Sequence, residues 1–398
     1  MEPPSLQVDI AIIGGGIAGL WALNLLRDRG YSALLLEQDA LGSHQTIGSQ
    51  GMIHGGIKYA LGGTLNAGSE TIAAMPEQWR QCLAGNGPID LRNCRVLSDS
   101  LHLWSSEKLG SRLSGFFAGK LLQGRVQPLE PDNYPDALRH TAFKGQVYQL
   151  AELVLDVPSL VNTMANHHAG AIFSIDWQLA KLRCESGRAR LLLPGATLEP
   201  ECLLLCAGAG NEALIERLGG SGPAMQRRPL QQLLVKHQYE SPFYAHCLGS
   251  GTSPRLSITS HRARDGAPVW YLGGELATRG ADWEPDQLID HARAELRDLL
   301  PWIDLGKSEW RTVRLDRAEP GQASLLRPDT AYVGDVGGID NALATWPTKL
   351  TLAPRLGEQV LARLEQRGLQ PRHRPDLAPL ANLVRPGMAA PLWDTLFT

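Results

Sequence analysis

Gly14, Gly16 and Gly19 stand at the spacing G-x-G-x-x-G, and the acid Glu37 lies 23 residues beyond the first of them. That set suits diphosphate chemistry. The first glycine permits a sharp turn, the second lets a phosphate approach the backbone with no Cβ in the way, and the third lets a helix lie close to a strand. Backbone N–H groups at the helix start, Ile17 and Ala18 among them, point at the anion, and the helix dipole favours negative charge there. Glu37 is spaced to accept hydrogen bonds from a ribose 2′-hydroxyl. A phosphate on that hydroxyl would be repelled, which disfavours NADP.

A glycine cluster can also be no more than a structural turn, so its frame decides. Residues 8–13 form an apolar, β-branched run, the pattern of a strand buried on both faces. A helix is expected from 18 to about 29, closed by Gly30, with a second strand over 32–36 that delivers Glu37. The framed motif reads as a dinucleotide site, without separating FAD from NAD.

Composition narrows the class. The 398 residues carry a formal charge of −3, with 43% hydrophobic and 20% charged residues. Those values exclude a disordered chain, a coiled coil and a fibrous repeat. A sequence pI near 6.4 argues against a dedicated nucleic-acid binder. The six cysteines include no C-x-x-C pair and no zinc-like spacing, so reduced, mostly buried thiols and no metal site are expected. Residues 10–26 are uncharged but hold four glycines and are too short to span a bilayer, which needs about 20 apolar residues. No basic n-region precedes them. A cytoplasmic protein is expected, with peripheral membrane contact left open.

After Glu37 the chain is polar and then Gly-rich, with no helical period. Gln38, Thr46, Ser49, Gln50, Gly51 and Met52 lie on this stretch, which ends in Ile53-His54-Gly55-Gly56 and then Tyr59. Residues 155–160 look like a helix start. Residues 203–210 make a strand ending in Cys206-Ala207-Gly208-Ala209-Gly210, and residues 342–354 a strand, a turn and a helix start. In these landmarks and their order the chain resembles flavoproteins of the D-amino-acid oxidase superfamily. The likeness is greatest to the glycerol-3-phosphate dehydrogenase, L-2-hydroxyglutarate dehydrogenase and glycine oxidase branches, over about residues 8–364.

The resemblance implies an α/β protein. A Rossmann-like FAD-binding domain of the glutathione-reductase type would be interleaved with an α+β substrate domain built on an antiparallel sheet. The FAD domain would take residues 1–85, 145–220 and 320–398, and the substrate domain 86–144 and 221–319. It also implies that FAD, more readily non-covalent than tethered, contacts the residues named on the first two turns and the loop. Ala207, Gly208 and the turn Trp346-Pro347-Thr348-Lys349-Leu350 would join them. The helix after that turn would point at the pyrimidine end of the isoalloxazine, where a positive dipole stabilises the anionic reduced ring. Amino-acid oxidases usually carry glycines here. Lys349-Leu350-Thr351 is nearer to the Gly-Gly-Lys-x-Thr turn of glycerol-3-phosphate dehydrogenases.

Lys349 is one of 8 lysines among 38 basic residues, and a flavin-proximal role stands beside that of a solvated helix-start lysine. Arg317, a few residues before Pro320, matches the family's substrate-anchoring arginine. A guanidinium there can hold a carboxylate or phosphate bidentately, or pair instead with Asp316 or Glu319. Strand alternation would place Arg311, Val313, Leu315 and Arg317 on one face. His54 could pack over the flavin, orient a hydroxyl or act as base, and the alternatives are a structural histidine and a covalent tether. His261 lies on an expected strand before the turn Arg264-Asp265-Gly266, and that turn with residues 269–274 reads as a hairpin in which His261, Trp270 and Tyr271 line a pocket or, more simply, pack the sheet. His167-His168 lacks metal partners at useful spacing and reads as surface.

Taken together, these features imply an FAD-dependent oxidoreductase. It would oxidise a small anionic amine or hydroxy substrate (amino acid, hydroxy acid or phosphorylated polyol) by hydride transfer to flavin N5. Oxygen, a quinone or a carrier protein would be the electron acceptor, and no nucleic-acid partner is expected. The alternative is a non-catalytic nucleotide-binding protein on the same fold.

Overall fold

Leucine and β-branched runs with no polar interruption make strands that need cover on both faces. β1 (Ser5–Ile13) and β2 (Ala33–Glu37) are such strands, joined by α1 (Ile17–Asp28). The computed structural model describes residues 4–56, 67–105, 125–249, 253–321 and 330–397. Tyr59 lies outside the described residues.

β1 pairs in parallel with β2 on one side and with Ala196–Leu205 on the other. Ile172–Ser174 extends the sheet beyond β2, and Ala342–Trp346 joins it beside residues 203–205, both in parallel. Three antiparallel strands complete eight: Lys181–Glu185, Arg188–Leu193 and Tyr332–Asp335. Helices α1, Val157–His167 and Ala353–Gln366 cover it, and a single apolar core joins them to the strands.

The second eight-stranded sheet runs in the order Glu309–Arg314, Gln231–Lys236, Pro268–Gly273, Leu256–Arg262, Ala245–Cys247, Leu101–Ser105, Gln146–Leu150, Val126–Pro128. It is antiparallel except where residues 245–247 run parallel to 102–104. Because Gln146–Leu150 pairs here, the chain returns to the first sheet after residue 150. The fold is the expected α/β dinucleotide-binding domain with an antiparallel-sheet domain inserted into it.

The two faces of the second sheet differ. Leu233, Val235, Ala245, Cys247, Leu256, Ile258, Trp270 and Leu272 point to the amphipathic helix Pro285–Leu299 and pack on its Leu288, Ala292, Leu296 and Leu299. The alternate positions carry Gln232, His246, Ser257, Thr259, His261, Tyr271 and Gly273. These are buried as well, but against the first domain. A buried polar face is costly unless its groups are hydrogen-bonded, so this face is where function is to be sought.

One expected strand is broken. Glu309–Arg314 ends before Leu315, and Arg317–Pro320 is a separate strand that pairs with Met225–Arg228 in a two-stranded sheet. Arg311 and Arg317 therefore do not share a face. Arg311 faces the C-terminal segment, where its Nε donates to the Leu396 carbonyl at 3.1 Å. His261 is not on the wall of the large cavity between the two sheets. Its ring stacks on Trp393 at 3.9 Å and meets the Thr259 hydroxyl at 3.0 Å. His168 Nε2 lies 3.0 Å from the Asp28 carboxylate and His167 Nε2 3.8 Å, so an acid does stand beside this pair. It comes from the end of α1 and was invisible in local spacing. All six cysteines are free thiols.

Burial, reinforced by the Arg95 charge, pushes His261 from 6.5 down to about 3. The unfolded chain therefore binds the extra proton between those values. Stability from this residue is present above pH 6.5 and is lost as pH falls towards 3. Replacing His261 with Phe should shrink the difference in Tm between pH 7.5 and pH 5, whatever the cost of leaving the Thr259 hydroxyl unpaired. The difference should not vanish, because burial also pushes His237 down to about 4. An unchanged difference would show that His261 does not contribute to the acid sensitivity.

Candidate functional site

A cavity of about 1220 Å³ is walled by both domains. At one end stand the glycine turn and the end of β2. The glycine turn is packed as the motif requires: a Cβ on Gly19 would sit 1.9 Å from the Gly14 carbonyl oxygen, so only glycine lets α1 lie this close to β1. The Gly15 N–H donates to Glu37 Oε2 at 2.5 Å, and the Ile17 N–H to the Thr46 hydroxyl at 3.0 Å. Glu37 Oε1 also accepts from the Asp39 N–H at 2.8 Å. Leu20 N–H makes the first intrahelical bond, to the Gly16 carbonyl. The amides of Gly16 and Ala18 are thus the ones placed to meet phosphate oxygens. Trp177, with the Arg217 guanidinium 4.7 Å from its ring centre, forms the wall beyond Glu37.

The middle of the cavity is bounded by the Ala207-Gly208 turn. Asn211 holds it: its Oδ1 accepts from the Ala207 N–H at 2.8 Å, and its Nδ2 donates to the Thr345 carbonyl at 3.0 Å. Trp346 Nε1 donates to the Gly208 carbonyl at 3.0 Å, which locks this turn to the next. Burial pushes the Cys206 thiol up to about 12, so it offers no thiolate.

At the far end the turn 346–351 leads into a 3₁₀ turn over Leu350–Leu352 and the helix Ala353–Gln366. Thr348 adopts φ +61°, a conformation that glycine takes without strain. Here a threonine is held in it, its hydroxyl donating to the Thr330 carbonyl at 3.1 Å. Lys349 is buried and lines the cavity. The Thr351 hydroxyl lies 3.3 Å from both the His54 N–H and the Met52 carbonyl, joining the 52–54 segment to this turn.

Every expected cofactor residue lines this cavity except Gly19 and Gly51, and so do His54, Arg317 and Lys349. Gly19 acts by packing. Gly51 has φ +73°, and a Cβ there would meet the Leu155 carbonyl oxygen at 2.1 Å, so it shapes the loop. Glu319, weighed as a partner for Arg317, is held by Arg228 through two 2.6 Å bonds. Sequence reasoning missed Asn211, Arg228, Gln232, His246, Ser257 and the Trp177–Arg217 pair. Only the alternation of residues 256–261 hinted at a polar sheet face.

A cradle for an extended dinucleotide, opening at one end onto a polar sheet of a second domain, defines a two-domain flavin-dependent oxidoreductase. The residues fit FAD: amides at the start of α1 are uncommitted and could receive a diphosphate, Glu37 stands at the end of β2 where it could receive a ribose, and the buried Lys349 lines the same cavity. A family model for FAD-dependent oxidoreductases (DAO) matches residues 9–338, and the chain belongs to that family. It is 46% identical over 396 residues to a protein named as a probable FAD-dependent oxidoreductase of Pseudomonas aeruginosa, covering 99% of this chain and 100% of that one. The crystal structure of an FAD-dependent oxidoreductase from that organism superposes with a TM-score of 0.86 at 42% identity, over 100% of both chains. Glycine oxidase from Geobacillus kaustophilus shares the fold at 17% identity, with a TM-score of 0.63 over 96% of this chain and 99% of its own. Among the described residues no helix is long and apolar enough to cross a membrane.

Replacing Glu37 with Ala removes the acceptor for two backbone N–H groups and for a ribose hydroxyl. Hydrogen bonds to a charged group contribute about 1.5–3 kcal/mol, so FAD affinity should fall roughly 10- to 100-fold. Fluorescence titration of the apoprotein measures this, and an unchanged affinity would remove Glu37 from the cofactor site.

Proposed function

We propose that this enzyme oxidises a small anionic substrate at a carbon bearing an amine or hydroxyl group. Bound FAD supplies an electrophilic flavin N5 that accepts the hydride. The observation that carries the reading is that Lys349 and Arg317 both line the one cavity. Arg317 opens a strand packed against both the Gly208 turn and Ala342–Trp346. Its guanidinium anchors the substrate's carboxylate or phosphate and so places the donor carbon. Lys349 brings positive charge to the turn where the reduced ring would gather negative charge, in a site screened from water. His54, tied through its backbone to Thr351, takes the proton from the donor heteroatom. Electrons then pass to oxygen, a quinone or a carrier protein.

The test is anaerobic mixing of the holoenzyme with a panel of amino acids, hydroxy acids and glycerol phosphate. Bleaching of the flavin band near about 450 nm by at least one member is expected, and bleaching by none overturns the reading. With that substrate, Arg317→Met should raise KM roughly 10- to 100-fold, the scale of a lost charge-assisted bond. Lys349→Met should instead slow reduction about 100-fold, as when a donor to developing negative charge is removed. Unchanged rates in both variants would show that the anion sits elsewhere.

A further inference from the structure

Four residues of the second sheet stand side by side on the face turned to the cavity. Gln232 is opposite Gly273, Gly273 is paired with Ser257, and Ser257 with His246. All four line the cavity. The gap that Gly273 leaves in this row is filled from the other domain by Gln50. A Cβ on Gly273 would lie 2.5 Å from Gln50 Oε1.

The hydrogen bonds fix which atom each amide shows. Gln50 Nε2 lies 2.7 Å from the Tyr271 carbonyl and 3.5 Å from the Ser257 carbonyl, both of which can only accept. Its nitrogen is thus committed to the sheet, and its oxygen lies over Gly273. For Gln232 the argument runs through Tyr271. The phenol oxygen is 2.8 Å from the Gly48 carbonyl and 2.7 Å from Gln232 Oε1, the atom placed there, while Gln232 Nε2 lies on the Gly273 side. A phenol has one hydrogen, and the Gly48 carbonyl has none to offer. Both contacts are satisfied when the Tyr271 O–H donates to Gly48 and Gln232 turns its NH₂ to the phenol oxygen. The two ends of a terminal amide are interchangeable in shape, and the network decides between them. Gln232 then also turns its oxygen to the cavity, on the same side of Gly273 as the Gln50 oxygen.

Two neutral acceptors facing one point suit a group with at least two hydrogens to give. We propose that Gln50 and Gln232 receive the N–H hydrogens of the substrate's amine, which makes them specificity-determining residues and the oxidised bond CH–NH rather than CH–OH. A hydroxyl would satisfy one oxygen and leave the other buried without a donor. Neutral oxygens also hold the amine without fixing a positive charge on it, as a carboxylate would. The carboxylates that line the cavity, Glu37, Asp39 and Asp316, belong to other elements. This assignment rests on the anion-anchoring reading of Arg317 and Lys349, which would hold the substrate's other end.

Three ligands that share a carboxylate and have no oxidisable C–H beside it separate the two readings: 2-aminoisobutyrate, 2-hydroxyisobutyrate and isobutyrate. Each is titrated into the oxidised holoenzyme, and the flavin absorbance change is read. The amino compound should bind at least about tenfold more tightly than the other two, because a site built around N–H donors rejects analogues lacking them. Gln232→Leu, which leaves the Tyr271–Gly48 bond in place, should abolish the preference while isobutyrate binds as before. Gly273→Ala should also lower the preference for the amino compound, by displacing the Gln50 side chain, since Gly273 has an ordinary φ. Equal binding of all three by the unaltered enzyme overturns the amine assignment and keeps the anion site. No spectral change with any of them overturns both.

Discussion

The segment from Gln45 to Gln50 is held from both domains at once, and the rest of the site depends on it. Thr46 caps α1 through the Ile17 N–H, and Gln45 accepts from the Ala318 N–H at 3.1 Å. Two residues on, Gly48 receives the Tyr271 hydroxyl, and Gln50 donates to the second sheet. Leu315 seals the turn: a Cβ on Gly48 would meet its Cδ1 at 2.5 Å. One short stretch thereby sets the distance between the glycine turn and the polar sheet face. Loosening it would misplace the two halves of the cavity together, since chemistry of this kind tolerates errors of only about 1 Å.

The charge pattern follows the same geometry. The negative groups fixed by backbone donors, Glu37 foremost, gather at the end suited to a ribose. Lys349 and Arg317 line the same cavity from other elements. Between them the turns are closed by neutral amides and hydroxyls: Asn211, Thr345, Thr351, and the indole of Trp346.

How much of this was legible in the sequence depended on how local each signal was. The glycine turn, α1 and Glu37 were readable because one strand, one helix and one strand specify them with no help from elsewhere. The turn around Lys349 was readable by likeness, yet the left-handed Thr348 was not, since nothing in a threonine announces that conformation. The expected long strand through Arg311 and Arg317 failed because alternation says which face a residue takes only while the strand continues, and the chain changes sheets at Leu315 and Asp316. Gln232, Gly273, Ser257 and His246 were beyond local reading. They come from four strands, and only the pairing register makes them neighbours. The Asp28–His168 contact is of the same kind, created by two helices packing across 140 positions of sequence.

The cradle is assembled from the start of the chain, its middle and a turn at 346–351. During synthesis domains fold in the order they emerge, and an early β1–α1–β2 unit presents its glycine turn long before the wall carrying Lys349 exists. A prosthetic group can therefore be enclosed on all sides only once the turn at 346–351 has been made.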